Sequence, residues 1–76
     1  MGWEDRIITD PSIAAGKPVI KGTRVPVRVL LGALSGGDSV EDVCKGYNVT
    51  PEDVQAALAY AAEAVEYASL YLVPGR

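Results

Sequence analysis

The residues with most to offer a ligand come early, in "AGKPVIKGTRVPV" over 15–27. A Gly-Lys pair invites comparison with a phosphate-binding loop, in which backbone N–H groups cradle the anion and the lysine reaches it. That motif also needs a glycine five residues before the pair and a serine or threonine after the lysine. Those positions hold Pro11 and Pro18, and proline has no N–H to give. Cradling of that kind is excluded. What the stretch does supply is charge: Lys17, Lys21 and Arg24, joined by Arg28 just beyond. Two readings stay open, an anion-facing surface for DNA phosphate or an acidic partner, and lysines guarding a strand edge against aggregation.

Nucleophilic and acid–base chemistry find less support. Cys44 falls on an apolar helical stripe, and the chain has no histidine to activate it, so a buried thiol is expected. Glu41-Asp42 and Glu52-Asp53 stand at helix starts, where capping and the helix dipole account for them. Adjacent helical residues point apart, so neither pair forms a facing acid–base couple or metal site. We expect no enzyme, no cofactor and no metal.

The elements that must position these groups can be read from pattern. "RIIT" is short and β-branched and ends at Asp10-Pro11, so it predicts a strand and turn. "PVIKGTRV" predicts a hairpin turning at Gly22-Thr23, with Ile20 opposite Val25 and Lys21 opposite Arg24. Pro26 suits the first turn of a helix. Val27, Leu30, Leu31 and Leu34 then give one apolar helical face, closed by Gly36-Gly37. Ser39 with Asp42 caps a second helix, whose face is Val40, Val43, Cys44 and Tyr47 and which Gly46 could stop early. Thr50 caps a third that begins at Pro51 and meets no breaker before Pro74. The expectation is a mostly α fold: a three-helix, helix-turn-helix-like bundle preceded by a short strand and hairpin. Residues 1–76 read as one domain, with the β element over 6–25 and helices over 26–36, 39–47 and 51–72.

That third helix is longer than its companions can cover, roughly 33 Å at 1.5 Å per residue. Its apolar pattern nevertheless runs to the end along two seams. One is Val54, Leu58, Ala61, Val65, Ala68 and Leu72, and beside it run Ala57, Tyr60, Ala64, Tyr67 and Tyr71. Two seams imply two packing partners. Tyrosines are favoured at interfaces, so Tyr60, Tyr67, Leu70 and Tyr71 are expected to meet another molecule, first of all a second copy.

The chain has 76 residues and is 49% hydrophobic, enough for one small core. Small cores of this kind often gain stability by oligomerising. One cysteine rules out an internal disulfide, and no apolar run approaches the ~20 residues that span a bilayer. With no apolar leader at "MGWEDRII", a cytoplasmic protein is expected. Residues 1–30 carry five bases against three acids, whereas 31–76 carry two against seven. Nucleic acid would therefore meet the first part, and a basic protein the second.

Taken together, "RIITDPSIAAGKPVIKGTRVPVRVLLGALSGGDSVEDV" and "VTPEDVQAALAYAAE" resemble the family known as domain of unknown function 433. The likeness runs from Arg6 to about Glu66 and is most specific in "GKPVIKGTRVPV", which is similar to the family's "GKPvirGTRiPV". It implies a homeodomain-like or winged-helix-like bundle behind a β element. It also implies kinship with antitoxins of bacterial toxin–antitoxin pairs, whose partner is often a PIN-like nuclease. Where the family tends to carry a proline after the tyrosine, this chain has "YNVT". The resemblance brings no catalytic residues. The expected function is an antitoxin-like dimer that sequesters such a nuclease and binds operator DNA. The alternatives are a stand-alone homodimeric DNA-binding regulator and a structural oligomerisation domain.

Overall fold

A computed structural model describes the backbone of residues 2–72 and the side chains of residues 2–68. It begins with a single 3-10 turn, Trp3–Asp5, which leads into strand β1, Ile7–Ile8. A turn at Ala14–Gly16 precedes strand β2, Val19–Ile20. Three helices follow: α1 (Val27–Ser35), α2 (Val40–Tyr47) and α3 (Pro51–Leu72). The mostly α architecture with a small antiparallel β element in front is the one the pattern predicts. No helix among the described residues is long and apolar enough to cross a membrane.

β1 and β2 pair antiparallel, Ile7 against Ile20 and Ile8 against Val19. On its other side β2 meets Pro26 through a single bridge at Val19. The expected register holds, for the Ile20 N–H donates to the Val25 carbonyl at 3.0 Å. The turn, however, closes one residue early, because the Thr23 N–H donates to the Ile20 carbonyl. Its central residues are therefore Lys21 and Gly22, and Gly22 takes the positive φ of +82° that this position favours for glycine. The Thr23 hydroxyl locks the arrangement, donating to the Ile20 carbonyl at 2.7 Å and accepting from the Val25 N–H at 3.0 Å. Lys21 sits in the turn and does not stand across a ladder from Arg24. The predicted like-charge pair is thereby corrected.

Helix boundaries follow their caps. Pro26 is the N-cap residue of α1, not its first helical residue. The Ser39 hydroxyl accepts from the Asp42 N–H at the start of α2, as expected. Gly46 does not end that helix, which continues through Tyr47 and stops at Asn48 in the left-handed conformation (φ 57°, ψ 49°). Asparagine tolerates that region better than most residues. Upstream, Asp10 accepts from both the N–H and the hydroxyl of Ser12, and these bonds hold its carboxyl below the ordinary carboxylate range.

The core joins the β element to all three helices: Ile7, Val19 and Ile20, then Val27 and Leu30, Val43 and Val49, and finally Val54, Ala56 and Ala57. No polar or charged residue is buried with them among the described residues. Asp53 fixes the start of α3 twice over. Its N–H donates to the Thr50 hydroxyl, and its carboxylate accepts the Thr50 N–H, a reciprocal capping box. The other carboxylate oxygen accepts from Arg6 at 3.0 Å, tying the segment before β1 to α3.

Removing the cap in Thr50→Ala should cost about 1 kcal/mol, which for a domain this small lowers Tm by roughly 4–8 °C. Asp53→Ala loses the Arg6 contact as well and should fall further in the same thermal-melt series. Equal Tm values for Asp53→Ala and Thr50→Ala would mean that the ion pair contributes nothing.

Candidate interaction surfaces

The four cations do not all line the same depression of the surface. Lys17 follows the Ala14–Gly16 turn, and Arg28 lies in the first turn of α1; both are exposed and line the same groove. Lys21 lines a different recess with Asp5, Arg6 and Asp53, where two carboxylates offset the positive charge. Arg24 lies exposed near the hairpin tip and lines neither depression. Lys21 lies beside the N-terminal segment, its N–H donating to the Arg6 carbonyl at 2.8 Å. Of the four, Lys17 and Arg28 share a groove.

Between α1 and α3 that pair overlooks an open depression of about 420 Å³. Val27 and Leu31 form its α1 wall, and Tyr60, Ala61, Ala64 and Val65 its α3 wall, with Pro18 closing one end. The groove continues the core stripe of α3. Val54 and Ala57 are buried under the other helices, and three to eight residues further on the same side of the helix has become the groove wall. Leu58, expected on the buried seam, is 45% exposed because the core axis runs between Val54 and Ala57.

Tyr60 has a partner within its own chain. Its ring meets Trp3 edge to face, with centroids 4.8 Å apart and planes at 87°. Such a pair adds about 0.5–1.5 kcal/mol beyond the area it buries. Trp3 thus covers one more turn of α3 from within the chain. Its indole Nε1 is buried without a hydrogen-bond partner, so Trp3 acts here through its apolar ring. Tyr67 is 66% exposed and borders a shallow recess with Trp3, Tyr60 and Glu63. The side chains of Leu70 and Tyr71 lie outside the described residues.

Reading by residue type missed two residues, Trp3 and Arg6. The signal for Trp3 was its size, since it is the only tryptophan in a chain without phenylalanine. Arg6 had no local signal, because its partner is 47 positions away. No group of three or more histidine, cysteine, aspartate or glutamate residues among the described ones could hold a metal ion. Cys44 is half-buried on α2.

Residues 7–61 match the model of a family described as "Protein of unknown function (DUF433)". The chain belongs to the DUF433 family. A search of curated proteins returned no match. Among solved structures, the chain is similar to the X-ray crystal structure of Rv2018 from Mycobacterium tuberculosis, at 36% identity and a TM-score of 0.64. That likeness covers 68% of this chain but 24% of Rv2018, so the chain spans about a quarter of that protein's length. The DUF433 match takes in the β element, α1, α2 and the covered part of α3. Trp3, Ala64, Val65 and Tyr67 fall outside the matched residues.

Trp3→Ala should destabilise the fold by about 2 kcal/mol, less than the ~3–5 kcal/mol of a fully buried aromatic because Trp3 is only half-buried. Trp3→Phe should recover most of the loss, since no indole hydrogen bond is at stake. A denaturant titration followed by circular dichroism measures both, and equal stability of wild type and Trp3→Ala would remove Trp3 from the fold's support.

Proposed function

We propose that this DUF433 protein is an antitoxin-like module of a toxin–antitoxin pair, dimeric, which sequesters a PIN-like nuclease and binds operator DNA as part of that complex. The observation that carries this reading is the outer half of α3. There Tyr67 is 66% exposed, on a helix that also carries Glu63 and Glu66. An exposed tyrosine beside carboxylates suits a protein partner with a basic surface, as a nuclease that grips RNA must have.

Charge argues against α3 itself as a DNA-reading helix. Its first turn carries Glu52 and Asp53, where a recognition helix would meet base edges and phosphate. DNA contact would fall instead to Lys17 and Arg28, and two cations give only a weak, strongly salt-dependent grip. In this reading the nuclease complex supplies most of the affinity.

The test is genomic and then biochemical. A short reading frame for a PIN-like nuclease should adjoin the gene, and its product should copurify with this chain. Tyr67→Ala/Tyr71→Ala should weaken that capture at least tenfold. Undiminished capture by this variant would move the interface elsewhere, and no binding of the neighbouring product would reject the antitoxin reading.

A further inference from the structure

The groove between α1 and α3 adjoins the recess that Tyr67 borders, sharing Tyr60 and Ala64 with it, but opens on the Val65 side of the helix. Val65 and Tyr67 are two positions apart, so they point about 200° apart around the helix. Its bed is apolar, and the two charged residues that line it, Lys17 and Arg28, are both cations. Neither makes an ion pair or side-chain hydrogen bond among the described residues, whereas Arg6 and Lys45 each have a carboxylate. Two unpaired cations at the edge of an apolar trough formed by two helices match one kind of ligand chemistry. We propose that this groove is a docking site for an amphipathic helix of a partner protein, apolar on one side and edged with carboxylates.

Other occupants fit less well. A nucleic acid would lay phosphates on the apolar bed, where only two cations stand to meet them. A second copy of this chain would have to offer the outer half of its own α3. On that helix Glu66 lies about 140° from Ala61, and Glu63 about 200° from Val65. Docking through the alanine and valine stripe would therefore carry the copy's carboxylates away from Lys17 and Arg28. A separate acidic helix has no such conflict. It would place leucine-sized anchors one or two turns apart between Leu31 and Val65, with acidic flanks over Lys17 and Arg28. This goes beyond the antitoxin reading, because it needs no nuclease and centres on Val65 and not on Tyr67.

The probe is a synthetic 18-residue helical peptide with a leucine stripe edged by glutamates, set beside a control in which lysines replace the glutamates. Each is titrated into the full-length, isotope-labelled chain at low salt, and amide shifts are followed. The glutamate peptide should saturate, with the largest shifts in Val27–Leu31 and Tyr60–Val65, and should bind at least tenfold tighter than the lysine peptide. Lys17→Glu/Arg28→Glu should invert that preference. Val65→Asp, at an exposed position that leaves the fold intact, should reduce binding of the glutamate peptide at least tenfold. Circular dichroism confirms that both variants are folded. Equal binding of the two peptides, or shifts centred outside the groove, would overturn the proposal. So would groove shifts that track protein concentration and resist the peptide, because a second copy would then be the occupant. Displacement of the peptide by an equal concentration of a short DNA duplex would also overturn it. The antitoxin reading can fail with every one of these peptide results unchanged.

Discussion

The constraint on which the molecule turns is a mismatch of helix lengths. α3 has 22 residues, while α1 has nine and α2 eight. At 1.5 Å per residue the long helix runs about 33 Å and its companions about 12–14 Å. The two short helices and the β element bury Val54, Ala56 and Ala57, and Trp3 extends the cover to Tyr60. Past that point the helix keeps its apolar spacing, yet Val65 and Tyr67 are about two-thirds exposed. Each exposed apolar side chain forgoes about 25 cal/mol per Å² of the burial it could have had. In a protein whose total stability is small, a second molecule is the natural place to recover that energy.

The β element is part of the same device, since it holds the covered end of α3 in place. Arg6 lies immediately before β1 and reaches Asp53 in the first turn of α3. Asp53 in turn caps that helix through Thr50. One carboxylate therefore links the helix start to the N-terminal segment, and the same segment carries Trp3 onto the helix one to two turns later. The "GKPVIKGTRVPV" stretch does related work by local bonds. Gly22 and Thr23 set the turn, and Pro26 enters α1, which leaves Lys17 and Arg28 on the groove rim. With Pro11 and Pro18 where a phosphate cradle needs glycine and serine or threonine, the stretch is no such cradle.

How much of this could be read in advance depended on the range of the interaction. Helices α1 to α3 were legible because apolar spacing and caps such as Ser39 and Thr50 act within four residues. The end of α2 at Tyr47 was legible too, although the left-handed Asn48 that closes it has no sequence pattern of its own. The hairpin register was legible, but the turn position was set by the Thr23 hydroxyl, which competes with the two-residue turn that Gly22-Thr23 suggests. Trp3 on Tyr60 and Arg6 on Asp53 were invisible to pattern, since they join positions about fifty residues apart. The cations were grouped by sequence, which does not show that Lys21 lines another recess than Lys17 and Arg28.

The length mismatch is tested most directly by the mass of the isolated chain in solution, measured by light scattering across a concentration series. If the uncovered half of α3 seeks a second molecule, the mass should rise above the 8.0 kDa of one chain toward twice that value, and a chain ending after Glu63 should stay at one-chain mass. A full-length chain that remains at one-chain mass up to millimolar concentration, without partner, would contradict the account.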